Sequence, residues 1–350
     1  MPPFKEEVSP ALVADWAARL NLDSAWVQAT AAPLDAMELK DRVVHLADAL
    51  RAQLPAPVPA MLEALQAAAF QPPPITGLPA WPTFTVVERH ALSHPQPALE
   101  TLGTLTHLFS AEFAVRPYIQ AHPELAMQQL LAWTDSDDEH RRRLASEGCR
   151  TRLPWGQRLR ALQAEPAPIL RILDALKDDP AEYVRRSVAN NLNDLSKDHP
   201  ELVLGLAEQW WEPKRERLLK HALRTLIKAG HPQALSLLGA GEVTLAALDF
   251  QATEALTEGE HLELALDANL PHDTLLVVDF ALHLLRKDGS FGRKVFKWRT
   301  WNAQAGPIQL RKRHPIKAVT VRKHYPGTQR VELLVNGRSV ATRSFELQLP

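Results

Sequence analysis

The spacing of apolar residues changes once along this chain, and the change restricts it to two kinds of structure joined in series. Up to about residue 240 they recur three and four apart, as in Leu12, Trp16 and Leu20 and again in Val44, Leu46, Ala47 and Leu50. That is the period of helices with one buried face. Beyond it, HLELALDAN, TLLVVDFALHLLR, RKVFKWRTW, IKAVTVRKHY, QRVELLVNG and RSVATRSFEL alternate or are rich in β-branched residues, with Asp288-Gly289, Pro326-Gly327 and Asn336-Gly337 as turns. Six or seven short strands in roughly 100 residues predict an antiparallel, immunoglobulin-like β-sandwich over 246–350, behind a helical domain over 1–240.

The helical part repeats. His122-Pro-Glu-Leu125 returns as His199-Pro-Glu-Leu202, and HPQAL begins at His231; each opens an apolar helical stretch. Proline is preorganised for the first helical turn, and a glutamate there complements the helix dipole. E-x-x-R-R at Glu139–Arg143 recurs at Glu182–Arg186. Helix pairs recurring at this distance predict an α-solenoid of HEAT-like repeats with a concave face. The proline clusters PAPVPA at 55–60 and QPPPITGLP at 71–79 fit the connections between helices.

Composition narrows the function. The formal net charge is only −1, but residues 1–130 hold 7 Lys+Arg against 13 Asp+Glu, 139–228 hold 18 against 13, and 261–350 hold 15 against 7. A polyanion is drawn to the middle and end of the chain. The single cysteine, Cys149, excludes an internal disulfide and a cysteine-based zinc cluster. Its neighbours show no Cys–His arrangement, so it reads as an incidental thiol. The 14 histidines contain no H-E-x-x-H, and no phosphate-cradling glycine loop is present; neither a metal nor a nucleotide cofactor is expected. No apolar run approaches the about 20 residues of a membrane span, and MPPFKEEVSP has no export signal.

Three polar stretches are candidates for chemistry. In SAEFAVRPYI, Glu112 and Arg116 stand four apart, a spacing that by itself fits a surface ion pair on a helix. In RRRLASEGCRTRLPWGQRL, Glu147 precedes a helix stop at Gly148, and Arg150, Arg152 and Arg158 surround Trp155. Arginines binding phosphate beside a stacking or wedging indole suit a nucleic acid; an indole packed between helices is the alternative. In YVRRSVANNLNDLSKDHPEL, Val184, Val188, Leu192 and Leu195 form an apolar stripe. Arg186, Asn190, Asn193 and Lys197 stand opposite, with Ser187 and Asp194 at the edge. Asparagines are unfavourable inside a helix, so these either bond between repeats or serve a site.

With PFKEEVSPALVADWAARL from Pro3, MELKDRVVHLADAL from Met37 and GLPAWPTFTVVERHAL from Gly77, these stretches are collinear with the AlkC family of bacterial DNA alkylation repair enzymes. The resemblance covers roughly residues 1–240, and the β domain is similar to that of the family's longer branch. ASEG-R-x-RLPW and SVANNLND-SKDHP are not generic HEAT sequence. The resemblance implies a monomeric cytosolic glycosylase that hydrolyses the N-glycosidic bond of cationic bases such as 3-methyladenine in duplex DNA, leaving an abasic site. It places the acidic site positions on Glu112, Glu147 and Asp194 and the active-site tryptophan on Trp155. Arg116, Arg150, Arg152, Arg186, Asn190, Asn191 and Lys197 are the expected DNA contacts, and the β domain an accessory DNA-binding module. Cys149 stands where a small residue such as serine is expected. The competing expectation is a non-enzymatic HEAT scaffold for nucleic acid or an extended peptide. Carboxylates inside basic stretches weigh against it, since a DNA clamp gains nothing from them.

Overall fold

The computed structural model describes residues 3–317 and 323–349. Its helices are α1 (Pro10–Leu20), α2 (Ser24–Ala31), α3 (Leu39–Arg51), α4 (Val58–Ala69), α5 (Trp81–His90), α6 (Pro95–Leu105), α7 (Arg116–Ala121) and α8 (Pro123–Ala132). They continue as α9 (Glu139–Gly148), α10 (Arg160–Ala164), α11 (Ala167–Leu176), α12 (Glu182–Leu195), α13 (Pro200–Gln209), α14 (Glu216–Ala222), α15 (Arg224–Ala229) and α16 (Pro232–Leu237). The strands are β1 (Ala246–Ala252), β2 (Ala255–Thr257), β3 (His261–Leu270), β4 (Thr274–Leu285), β5 (Phe291–Ala303), β6 (Gly306–Pro315), β7 (Gly327–Val335) and β8 (Arg338–Gln348). Among the described residues no helix is long and apolar enough to cross a membrane.

The repeat has a physical basis at the helix starts. His122 and His199 occupy the residue before α8 and α13 with nearly the same backbone (φ −136°, ψ 59° and φ −131°, ψ 63°), and proline follows at the first helical position. His94-Pro95 does the same before α6 (φ −125°, ψ 64°), a third copy that the sequence reading passed over. The two E-x-x-R-R motifs open α9 and α12. Their first arginines reach back alike, Arg142 to the carbonyls of Ser136 and Asp137 and Arg185 to those of Asp179 and Pro180. Each clamps the loop that feeds its helix.

Contacts divide the chain into one unit of residues 1–198 and 212–222 and another of 199–211 and 223–350. The second therefore takes in α13, α15 and α16, which the boundary at 240 assigned to the helical domain. In the first unit α3 packs on α5, α6 on α8, and α12 on both α9 and α14. The apolar stripe of α12 is fully buried, as expected, but so are Ser187, Asn191, Asn193 and Asp194. Helices on several sides enclose most of α12, and Asn193 does not face solvent.

In the second unit a three-stranded sheet (β1-β3-β6) faces a five-stranded one (β2-β8-β7-β4-β5), with Phe250, Phe280, Phe345, Leu264 and Leu333 in the shared core. All pairings are antiparallel except β2–β8. The sequence reading found β3, β4, β5, β7 and β8 but missed β1, β2 and β6. In β6 only Ile308 and Leu310 are buried apolar residues, and the run Arg311-Lys312-Arg313 follows them, which leaves too short an apolar alternation to read. IKAVTVRKHY was read as a strand; its central residues, 318–322, lie outside the described residues.

Asn336 (φ 44°) and Gly337 (φ 77°) make the tight turn from β7 to β8, the left-handed pair such hairpins favour. A Cβ on Gly337 would stand 2.3 Å from the Cα of Gly230, after α15. Nearby, Leu235 and Ala240 pack with Val277 of β4. These contacts join the last helices to the sandwich within the second unit.

Candidate active site

Three chain segments meet along the second half of α9 and just beyond its end. Residues 111–115 are turns that lead into α7, so Glu112 precedes that helix instead of sharing a face with Arg116. Glu147 is in the last turn of α9, and Asp194 in the last turn of α12. The three carboxylates converge through intervening cations. Arg143 Nη1 lies 2.7 Å from Glu112 Oε2 and its Nη2 3.5 Å from Glu147 Oε1. Arg150 Nη1 lies 2.5 Å from Glu147 Oε1, and its Nη2 2.8 Å from Asp194 Oδ2. Lys197 Nζ lies 3.0 Å from Asp194 Oδ1. Acid and base thus alternate, and three of each sum to no net charge.

Hydroxyls complete the chain. Ser187 donates to Glu147 Oε2 at 2.6 Å, and Ser110 to Glu112 Oε2 at 2.7 Å. Glu147, Arg150 and Asp194 are buried, Glu112 is partly so, and Lys197 is exposed. Burial lowers the affinity of Arg150 and Arg143 for their protons, but the neighbouring carboxylates outweigh it, and both guanidiniums hold protons above their ordinary range.

Three expected DNA contacts are structural, and one of them is Arg150, buried between Glu147 and Asp194. Arg116 is 1% exposed. Its guanidinium donates to the carbonyls of Gly148 (3.0 Å), Arg150 (2.9 Å) and Gln157 (Nε, 2.8 Å). Burial lowers its pKa to about 10. It holds the 148–157 loop from inside and presents no N–H to a phosphate. Asn191 is fully buried, its amide donating to the Ser146 carbonyl at 2.8 Å. It bonds between repeats, the alternative the sequence left open. Cys149 is buried beside it, and desolvation pushes its thiol up to about 12, so it is an inert thiol.

The other expected contacts reach the surface to different degrees. Arg152 forms a two-point ion pair with Asp198 (2.9 and 2.6 Å). Arg186 is exposed and pairs with Glu182 at 3.2 Å. Asn190 is partly exposed and bonds the His221 ring at 2.8 Å. Arg185, Arg186, Lys214, Arg217 and His221 line a basic cleft of about 170 Å³ beside them.

Trp155 is 65% exposed and so is not a core residue. Gly156 N–H closes a turn on the Leu153 carbonyl at 3.2 Å. Pro154 takes its second position and Trp155 its third with φ 65°, where a type II turn ordinarily has glycine. Lys40 Nζ donates to the Trp155 carbonyl at 3.2 Å. Trp155 edges a cleft of about 230 Å³ lined also by Lys40, Trp81, Glu88, Arg89 and Phe113. Trp81 and Phe113 stack at 5.3 Å, and burial pushes Glu88 up to about 6.

Arg143 is the residue the sequence reading missed. It stands four residues before Glu147 on α9, the spacing of a helical ion pair, inside a motif already noted as a repeat. Lys40, Glu88 and Trp81 fall in stretches that carried the resemblance without a role.

Comparison with known proteins settles the relationship. Residues 109–226 match the family model "DNA alkylation repair enzyme", and 246–349 match "Uncharacterised protein YhaZ, C-terminal Ig-like domain". YhaZ of Bacillus subtilis (strain 168), itself uncharacterised, is 38% identical over 267 residues, 75% of this chain and 74% of that one. The Pseudomonas fluorescens alkylpurine DNA glycosylase AlkC, solved on DNA containing an abasic site analog, superposes with a TM-score of 0.92 at 35% identity, covering 99% of this chain and 100% of that one. The chain belongs to the AlkC family. In this AlkC-family protein α9 and α12, which carry two of the three carboxylates, lie inside the matched repair-enzyme region.

Proposed function

We propose that this protein is a DNA glycosylase that releases cationic alkylpurines, 3-methyladenine among them, from duplex DNA. The observation that carries the reading is the convergence of Glu112, Glu147 and Asp194 along one chain of ion pairs through Arg143 and Arg150. An N3-alkylated purine already carries positive charge. When the bond from its N9 to the deoxyribose C1′ breaks, the electron pair stays on the base, which leaves neutral, so no general acid is required. The sugar is left with oxocarbenium character. A carboxylate beside it stabilises that charge, and takes a proton from the water whose oxygen bonds to C1′.

Asp194 is the first choice for this role, with Glu112 and Glu147 completing the field. Arg150 and Lys197 hold the Asp194 carboxylate in place. Trp155, exposed on its turn, is assigned to contact and distort the duplex, and Arg152, Arg186, Asn190 and Lys197 to phosphate or groove contacts. The β domain is the accessory DNA module. Arg293, Arg311 and Arg313 there are paired with Glu332, Asp267 and Glu263, while Lys294 and Arg299 lie over Phe296 and Trp301. Replacing Lys294, Lys297 and Lys312 with glutamine should flatten the salt dependence of DNA binding by about 0.9 in log–log slope per lost phosphate contact; an unchanged slope would remove the β domain from the interface.

The test of the reaction is Asp194→Asn, which keeps shape and removes charge. On N-methylated duplex DNA it should release 3-methyladenine at least about 100-fold more slowly, a loss near 3 kcal/mol, while binding DNA no more weakly. Release at the parental rate would end the assignment of Asp194. Tight binding by the parent protein with no base released would end the enzyme reading and favour a scaffold.

A further inference from the structure

Outside the carboxylate chain, His107, Asp138 and His140 bring one donor atom each to within 4.8 Å of one another. Their sequence spacing gives no motif: His140 is two residues beyond Asp138, and His107 comes from the connection between α6 and α7. Folding assembles the group at the start of α9. Asp138 is the N-cap of that helix, its Oδ1 accepting from the backbone N–H of His140 at 2.9 Å. That bond fixes the carboxylate and turns Oδ2 toward His107.

Oδ2 is buried and, among the described residues, has no aligned hydrogen-bond donor. His107 Nε2 stands 2.7 Å away, close enough to touch but out of line for a hydrogen bond. Arg141 Nε is 3.8 Å away, with its guanidinium bound to the Gly103 carbonyl and Thr104 Oγ1. The His140 ring is held between His107 (centroids 5.1 Å) and the edge of Tyr183 (5.8 Å). The His107 side chain is half exposed, which leaves one side of the group open to solvent.

We propose that His107, Asp138 and His140 bind a divalent transition-metal ion, with the remaining coordination positions facing solvent. Two imidazoles and one carboxylate select zinc-class ions over calcium or magnesium, which take oxygen-rich shells. At bond lengths of about 2.0–2.2 Å the donors of a tetrahedral centre stand roughly 3.4 Å apart, a separation that rotation of the half-exposed His107 ring brings within reach. The ion joins the α6–α7 connection, which goes on to Ser110 and Glu112, to α9, which carries Arg143 and Glu147. These are the segments that the Glu112–Arg143 ion pair also joins, so bound metal braces the carboxylate chain from one end. The binding claim itself does not depend on the glycosylase reading.

The experiment uses the full chain without a histidine tag, stripped with chelator and titrated calorimetrically with Zn²⁺, with Co²⁺ absorption as the spectroscopic probe. The parent should bind one tight equivalent and show a Co²⁺ spectrum of mixed nitrogen and oxygen ligation, and Zn²⁺ should raise its melting temperature. His140→Ala should lose the tight equivalent. Asp138→Asn should weaken it about tenfold or more while keeping a capping acceptor, so the helix start survives; circular dichroism checks that both variants are folded. Absence of a tight equivalent in the parent would overturn the proposal. So would equal affinity in parent and Asp138→Asn, which would place the ion on other histidines.

Discussion

Arg150 is the position where the charge chain is most sensitive, and Arg150→Met tests the electrostatic reading without touching a carboxylate. The guanidinium is buried and meets Glu147 at 2.5 Å and Asp194 at 2.8 Å. At an effective dielectric of 20, each contact is worth roughly 6 kcal/mol of gross attraction. Desolvation of the guanidinium, several kcal/mol, works against this. Methionine removes that desolvation cost but leaves two carboxylates facing each other. Lys197 stays on Asp194 at 3.0 Å, and Arg143 stays 3.5 Å from Glu147. The net loss should therefore sit near the about 3–5 kcal/mol seen when one partner of a buried pair is removed. Urea denaturation read by the transition of the helical unit measures it. Glu147→Gln in the Arg150→Met background should recover at least about 1 kcal/mol, because it removes one of the two repelling charges. A loss below about 1 kcal/mol, or strictly additive effects in the two-residue cycle, would show that the carboxylates do not depend on Arg150.

Two further outcomes follow from the cleft beside the site. Trp155→Gly should lower base release while keeping or raising stability by up to about 1 kcal/mol, since a bulky residue with φ near 65° costs about 1–2 kcal/mol that glycine does not; a drop of several degrees in melting temperature would mean the indole is packed after all. Glu88→Gln should stabilise the protein above pH 6 by up to about 2 kcal/mol and converge with the parent below pH 4.5. The folded carboxyl titrates at about 6 against an ordinary value of 4.5, so the parent loses stability as pH rises through that window. Melting curves at pH 4.5 and 7.5 that differ equally between parent and variant would refute it.

The helical-to-strand division was legible because side-chain period is a local property. The apolar stripe of α12 and the turn at Asn336-Gly337 were read correctly for that reason. Strand β6 was not, because its two buried apolar residues, Ile308 and Leu310, are followed by the charged run Arg311-Lys312-Arg313. The carboxylates were legible only through family resemblance, since nothing in the spacing of Glu112, Glu147 and Asp194 joins them. Arg116 and Asn191 were misplaced at the DNA surface because a polar side chain whose partners are distant backbone carbonyls looks, in sequence, like one whose partner is a ligand. The grouping of α13, α15 and α16 with the β sandwich includes the approach of Gly230 to Gly337, a contact between residues 107 positions apart that no periodicity encodes.

The 147–157 segment departs from what stability alone would select, and does so twice. Buried alternating charges between α9 and α12 contribute no more to a helical core than well-packed apolar residues of the same volume, and often less. A tryptophan in a glycine conformation, 65% exposed, loses on both backbone strain and hydration. The segment is nevertheless rigidly made. Arg116 is buried beneath it with its donors on the carbonyls at 148, 150 and 157, and Lys40 fixes the carbonyl of Trp155 itself. A loop that is costly in local terms yet anchored at both ends is what a preorganised site requires. The charges must already be oriented when an oxocarbenium ion forms, because a flexible carboxylate would lose in reorganisation what it gains in attraction. Arg116→Lys tests that division of labour: lysine keeps the charge but gathers its donors on one nitrogen, without the planar fork whose separate nitrogens reach the carbonyls at 148, 150 and 157. It should slow base release more than it weakens DNA binding. Equal losses in both would mean that Arg116 supports the fold in general and not the geometry of this loop.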